Sequence, residues 1–577
     1  MSSTSLAISS RVRPSLRTRL ARHVRAHLAA LAGAVTLLIA GPGLMITHRP
    51  LPPAIPKPVA LRMVMADPAI AKMLATLHWE RSDVTPMDHH YELLGFYRGG
   101  RMLATITVGA NGGHTFLDAV DLTKQHYAYG SNIANNVWML ALLSAVFILM
   151  TAVWPLWRLR NLDVLVAAST VSAVVLFNDW MLTRMALTAY PALFYLALRC
   201  AWWGLAGHRQ PAPARPLYNH LTRNWTAPQR LRVLRLMAAA LALVTAMVGF
   251  TSPHVLDVGY AVMEGATAIL HGVLPYGHIA DVLHGDTYPI ASYLLYVPFA
   301  ALSPVHTAWD NADFTLVVAV VAAIAAAIGV WRVLAERGAG RPRASGPSEL
   351  TGLRAAVAVL AFPPLLVTVS TGTTDVVLGA MLVATFVLWH RPGWALAALS
   401  AATWFKLAPL AVVPLLLARL RGRVLLSAAA AVAVVSATML GVLIALGGVG
   451  APGRMLSAMS FQFTRSSPHT LWAVVGSVPL QQLAQAAVLA LIAGASVRLA
   501  RDGALADDRF RIAAVVGAIL IGIQITANYW NYMYLIWALP FIVLWLFAGG
   551  EAAPLPAAMS RSGAGSAAAV SRSGWTP

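Results

Sequence analysis

Apolar runs of about 15 to 24 residues recur along most of this chain, and a helix of that length is what crosses a bilayer. A run in hydrocarbon must satisfy its own backbone groups, which restricts each one to helix. The composition agrees. Of 577 residues, 58% are hydrophobic and 11% charged, with a mean hydropathy of +0.67. A soluble chain carries about 25% charged residues. The expected fold class is an all-α polytopic membrane protein, with about fourteen transmembrane helices. The net charge of +20 is no nucleic-acid signal. Its arginines lie between apolar spans, where they set orientation and meet anionic membrane lipids. No nucleic-acid partner is expected. The single cysteine, Cys200, lies inside an apolar run, which excludes an intramolecular disulfide and a cysteine zinc cluster.

The distribution of arginine orders the chain. Residues 1–28 hold Arg11, Arg13, Arg17, Arg19, Arg22 and Arg25 and are expected in the cytoplasm. Residues 29–46 read as an uncleaved membrane anchor. Residues 47–136 are more polar and are expected to fold outside the membrane as a small α+β domain. It has a Pro-rich tether, a helix over Asp67 to Trp79 and an antiparallel meander over Tyr91 to Asp121. Three spans are expected over 137–206 and a basic cytoplasmic linker over 207–235. A membrane module follows over 236–548, and the Ala/Ser/Gly-rich tail 549–577 reads as disordered and cytoplasmic. The basic loop from Arg332 to Arg354 is expected in the cytoplasm. The run Ile290 to Leu302 is therefore expected to lie along the outer leaflet as a juxtamembrane helix. The runs Trp394 to Phe405 and Leu407 to Leu417 are short for full crossings, and a broken pair around Lys406 is the alternative.

Under this topology several polar residues converge on the outer face. Asp257 lies just beyond the exit of the run Leu236 to Phe250. A carboxylate there is a candidate functional group, although it can equally cap the next helix. Around it stand Tyr260, the turn Gly272-Val273-Leu274-Pro275-Tyr276 and the pair Tyr288-Pro289. Lys406 interrupts apolar sequence, either as a snorkelling side chain or as a point charge for an anion. Arg465-Ser466-Ser467-Pro468-His469 reads as an amphipathic connector or as an anion-binding loop before a helix start. Asp375 ends the loop Thr371-Gly372-Thr373-Thr374-Asp375, as a helix cap or a ligand-binding carboxylate. Asn528-Tyr529-Trp530-Asn531-Tyr532 offers sugar-binding residue types, but by itself reads as an interfacial aromatic belt. No nucleotide-phosphate loop, paired metal carboxylates or Ser/His/Asp order is present. No metal or other cofactor is expected.

Asp257 with Tyr260, the Gly-x-x-Pro-Tyr turn and Tyr288-Pro289, in that order, resemble the C-type, membrane-embedded glycosyltransferases. The likeness is to the bacterial polyprenol-phosphate-mannose-dependent mannosyltransferase family and covers roughly residues 236 to 548. The chain departs from that pattern at Ile290, where a second proline is missing, and in the 371–375 loop, where a glutamine is missing. The resemblance implies an enzyme of the plasma (inner) membrane with its active site on the extracytoplasmic face. It implies transfer of a sugar, mannose, from a polyprenyl-phosphate donor to a lipid or glycan acceptor, with inversion. It implies Asp257 as general base, and Lys406, Arg465 and His469 on the donor phosphate. Tyr260, Tyr276, Tyr288 and Asp375 are the implied substrate-binding residues. The helix-then-meander order of 47–136 is similar to small PepSY-type periplasmic domains, and no chemistry is attached to it. Two other readings stand beside this one. A transporter or lipid flippase predicts charged residues at mid-span and inverted repeats, which are not evident. A non-catalytic sensor or scaffold accounts for 47–136 but not for the polar outer face.

Overall fold

The computed structural model describes residues 27–40, 55–88, 91–99, 101–111, 114–121, 133–178, 181–206, 215–252, 255–279, 282, 285–306, 310–336, 345–464 and 470–548. The expectations for most of 1–28, for Arg465 and His469, and for the tail 549–577 lie outside them.

The first helix, α1, spans His27–Ala40. Helices α2 (Lys57–Ala66) and α3 (Pro68–Leu77) follow. The Asp67 carboxylate between them accepts from the amides of Ala69 and Ile70 and so caps α3. Strands β1 (Arg81–Asp88), β2 (Tyr91–Arg98), β3 (Arg101–Asn111) and β4 (His114–Asp121) form an antiparallel meander in the order β1-β2-β3-β4. Leu94 and Phe96 on β2, opposite Ile106 and Ala104 on β3, share one face by the two-residue period. That face packs with Val64 of α2 and Leu74 of α3 in a separate small core.

The helical body begins with α4 (Val137–Thr151), α5 (Leu159–Ser169), α6 (Val171–Asn178), α7 (Leu182–Ala206) and the short α8 (Leu217–Leu221). Next come α9 (Ala227–Phe250), α10 (Asp257–Leu270), α11 (Ala291–Leu294), α12 (Val297–Ala300) and α13 (Phe314–Ala335). They lead to α14 (Ser345–Leu360), α15 (Pro363–Ser370), α16 (Asp375–Val387), α17 (Pro392–Phe405), α18 (Val413–Ala418) and α19 (Gly422–Gly447). The body ends with α20 (Ala451–Thr464), α21 (Leu471–Val475), α22 (Val478–Arg501), α23 (Gly503–Ala506), α24 (Arg509–Thr526) and α25 (Leu535–Ala548). Helices α24 and α25 are buried almost throughout, with α24 packed on α7, α25 and α22. By contrast α19 and α22 expose apolar side chains such as Leu426, Val434, Leu483 and Leu489, as a lipid-facing helix does.

Arginines stitch one end of this body. The last carbonyls of a helix lack intrahelical donors and carry its negative dipole end, so guanidinium groups suit them. Arg511 donates to the carbonyls of Gly204 and Leu205 at the end of α7, both at 3.0 Å. Arg354 donates to the Met150 carbonyl of α4 at 2.8 Å. Arg509 holds the Val333 carbonyl of α13 and pairs with Glu336 at 2.7 Å. Arg419 reaches the Trp389 carbonyl just past α16 at 3.1 Å, and Arg421 reaches Ala500 on α22. Burial, with Asp507 opposing it, pushes the Arg419 guanidinium down to about 10.

The structure bears on several sequence expectations. About fourteen crossings are expected from runs of apolar residues; six described helices have the length and composition for one. A seventh results if 349–360 and 363–370, bent by 54° at their break, form one span. The bend falls at Pro363-Pro364, where two backbone donors are missing. Helix α9 starts at Ala227, inside the expected linker, because Thr226 and Gln229 form a reciprocal capping box there. Arg354 is not a loop residue but lies in α14, 1% exposed. The run Ile290 to Leu302, expected as one helix that does not cross, makes two four-residue helices, α11 and α12, each too short to cross.

Candidate active site

The end opposite the arginine stitches is built from helix starts and breaks. Asp257 is the first residue of α10 and is exposed. Its Oδ1 accepts from the Val258 amide at 2.7 Å, and the helix N-terminus favours its negative charge. The residue before it, Leu256, donates its amide to the Thr371 carbonyl at 2.9 Å. The Ser252 hydroxyl donates to the Ser370 carbonyl. The start of α10 is thus fastened to the loop that runs into Asp375.

Two glycines permit that contact. Gly372 has φ +66, and a Cβ there would stand 2.6 Å from Thr315 Oγ1. Only glycine adopts that backbone without cost. A Cβ on Gly259 would meet Val255 at 2.0 Å and the Gly372 carbonyl at 3.3 Å. The loop and the helix therefore approach backbone to backbone.

Asp375 opens α16 and is 3% exposed. Its Oδ1 accepts from Lys406 Nζ at 2.6 Å and from Trp537 Nε1 at 2.8 Å. Lys406 lies in a break. It has extended backbone, φ −147 and ψ 147, between α17 and a 3-10 turn over Ala408–Val412. Its side chain does not snorkel to the surface but ends in a buried ion pair. The rings of Trp537, Tyr534 and Tyr288 stand 5.4, 5.6 and 5.8 Å from Nζ, within cation–π range.

Tyr288 is held by the turn that precedes it. The buried Tyr276 hydroxyl donates to the Tyr288 carbonyl at 2.9 Å, and the Tyr293 hydroxyl donates to Gly285 at 2.9 Å. Burial, and then the Asp286 charge, push the Tyr276 phenol well above its usual range, so it stays a donor. The Ser292 hydroxyl donates to the Phe405 carbonyl, tying α11 to the residue before Lys406. Gln462 of α20 donates to Thr287 Oγ1 at 2.8 Å.

Lys406 therefore meets both Asp375 and Tyr288, while Asp257 is linked to them only through the backbone of the 370–375 loop. Tyr260 and Tyr276 lie in the small apolar core beneath α10. Arg465 and His469 fall outside the described residues. Sequence reasoning missed Trp537, which sits in an apolar run and looks like span material. Its position three residues after Tyr534, one helical turn, was the available signal. The interfacial-belt reading of Asn528 to Tyr532 is corrected at its last three residues. Trp530 is 0%, Asn531 5% and Tyr532 1% exposed, so these side chains pack inside the protein. Asn528 accepts from Gln481 at 2.6 Å and donates to the Phe463 carbonyl at 2.6 Å. Among the described residues no three His, Cys, Asp or Glu side chains group as metal ligands do.

Residues 287–527 match the model of Glycosyltransferase family 87. The matched segment includes Tyr288, Asp375 and Lys406, and it begins after Asp257, Tyr260 and Tyr276. No curated protein and no solved structure matches the chain. Over 287–527, on a body of membrane-length helices, the chain is similar to a glycosyltransferase family, and this supports a membrane glycosyltransferase.

Proposed function

We propose that this protein transfers a sugar, mannose, from a polyprenyl-phosphate donor to a lipid or glycan acceptor on the extracytoplasmic face of the inner membrane. The observation that carries this reading is one arrangement. A buried, aromatic-lined cation, Lys406, lies one loop away from an exposed carboxylate, Asp257, at a single end of the helical body. The match to Glycosyltransferase family 87 supports the reaction class.

The chemistry is a single displacement. Asp257 takes the proton of the acceptor hydroxyl as its oxygen attacks the anomeric carbon. The bond from that carbon to the phosphate oxygen breaks, and polyprenyl phosphate departs with the electron pair. Lys406 faces the charge that develops on the phosphate, in a site where low polarity strengthens the interaction. Tyr288, Tyr534 and Trp537 offer ring faces to the sugar. One displacement turns a β-linked donor into an α-linked product. Arg465 and His469 are proposed as further donor-phosphate contacts, and Tyr260, Tyr276 and Asp375 as supports of the substrate site.

The test is transfer from purified polyprenyl-phosphate mannose to an envelope lipid or glycan extract, with the protein in lipid nanodiscs. Labelled product that depends on Asp257 is expected. Absence of transfer from this donor, with transfer from a nucleotide sugar instead, would overturn the reading.

A further inference from the structure

Lys406 already has an anion. An ammonium with a carboxylate at 2.6 Å in a buried site is largely neutralised before any substrate arrives. A phosphate that approaches the same ammonium meets Asp375 as a second negative charge a few ångströms away, and like charges there repel. Asp375 also has a second holder, the Trp537 indole N–H at 2.8 Å on the same oxygen. If Lys406 turns to another anion, Asp375 keeps a hydrogen bond and is not left bare. Lys406 itself stands in an extended break and not inside a helix, so its side chain is not confined to one helical face.

We propose that Asp375 is a resident anion. It is a positioning residue that occupies Lys406 in the empty protein and competes with the phosphate of an isoprenyl lipid for it. The inference rests on the phosphate-facing role of Lys406 given above. Its consequence is a site that holds donor and product phosphates less tightly than a bare lysine would, so that polyprenyl phosphate can leave. Trp537 sets the strength of the competition, because its N–H shares the Asp375 charge.

The experiment measures binding of farnesyl phosphate to the purified full chain in nanodiscs. Asp375→Asn keeps the side-chain shape and removes the competing charge. It is expected to bind farnesyl phosphate at least about fivefold tighter than wild type, the lower end of typical coupling between two ligands. Trp537→Phe keeps a ring but deprives Asp375 of its second partner, and is expected to bind more weakly. Lys406→Ala is expected to lose binding. A merely structural Asp375 would not produce shifts of opposite sign in the first two variants. Unchanged or weaker binding by Asp375→Asn, with wild-type binding intact, overturns the resident-anion role alone. Failure of the wild type to bind, or full binding by Lys406→Ala, overturns the phosphate role of Lys406 and the inference with it. If Asp375→Asn does not fold, Trp537→Phe decides, and binding equal to or tighter than wild type overturns the proposal. Inorganic phosphate is run beside farnesyl phosphate and is expected to bind more weakly. Equal affinity would assign the site to free phosphate and overturn the lipid.

Discussion

The amide of Leu256 donates to the carbonyl of Thr371 at 2.9 Å, and this bond brackets two acidic helix starts together. Asp257 follows Leu256 directly, and Asp375 lies four residues beyond Thr371. A second bond, from Ser252 to the Ser370 carbonyl, joins residues 118 apart in sequence. The exposed carboxylate and the buried ion pair are thus positioned by one loop, which makes the loop as consequential as either side chain.

The exposed member of that bracket is the proposed base. Asp257→Asn keeps the shape of the side chain and removes the proton acceptor. Sugar transfer is expected to fall about 100- to 10,000-fold, with farnesyl phosphate binding retained. Rates at matched protein levels check this. Transfer within a fewfold of wild type would remove Asp257 from the chemistry.

The buried pair should behave as a unit in stability. Lys406→Ala leaves Asp375 charged and unpaired except for Trp537, and breaking a buried pair costs about 3–5 kcal/mol. Adding Asp375→Asn should return most of that cost, because no bare charge remains. Thermal unfolding of both single variants and the double, as a mutant cycle, measures the coupling. Additive losses would mean that the 2.6 Å contact contributes little.

Gly372 tests the bracket itself. Alanine there must adopt φ +66, which costs about 1–2 kcal/mol for a residue with a Cβ. Its Cβ also collides with Thr315 Oγ1, so the loop must shift. Gly372→Ala should lower the thermal midpoint and reduce transfer more than it reduces farnesyl phosphate binding. Wild-type stability and transfer together would show that the close approach is not required.

At the other end, Arg511→Ala strips two donors from the end of α7. Leaving buried acceptors unsatisfied costs about 1–3 kcal/mol. Stability should drop by that order while the KM for the donor stays unchanged, since Arg511 lies at the arginine-stitched end. A large change in donor KM without a stability loss would contradict this division of labour.

The proposed orientation rests on the arginine distribution and is open to labelling. In a Cys200→Ser background, Val449→Cys lies between α19 and α20, and Arg223→Cys precedes α9. The first is expected to react with impermeant reagents from outside the cell, the second only after permeabilisation. The reverse pattern would invert the topology and place Asp257 in the cytoplasm.

The sequence alone determined the class of the molecule. Apolar run length and the scarcity of charge are local properties, and in hydrocarbon they leave the backbone little choice but helix. The position of Asp257 past an apolar run was legible for the same reason, as was the break at Lys406, where a charge interrupts two short runs. Tertiary structure decided what these residues meet. Nothing along the chain states that Lys406 faces Asp375, or that Trp537 in an apolar run spends its N–H on that carboxylate. An apolar run does not encode which of its faces turns to lipid and which to protein. Trp530 and Tyr532 show this, since their residue types suit a membrane interface and their packing buries them. The break of one expected span at Pro363-Pro364 is local instead. Hydropathy measures how apolar a stretch is, whereas a crossing also needs an unbroken ladder of backbone hydrogen bonds.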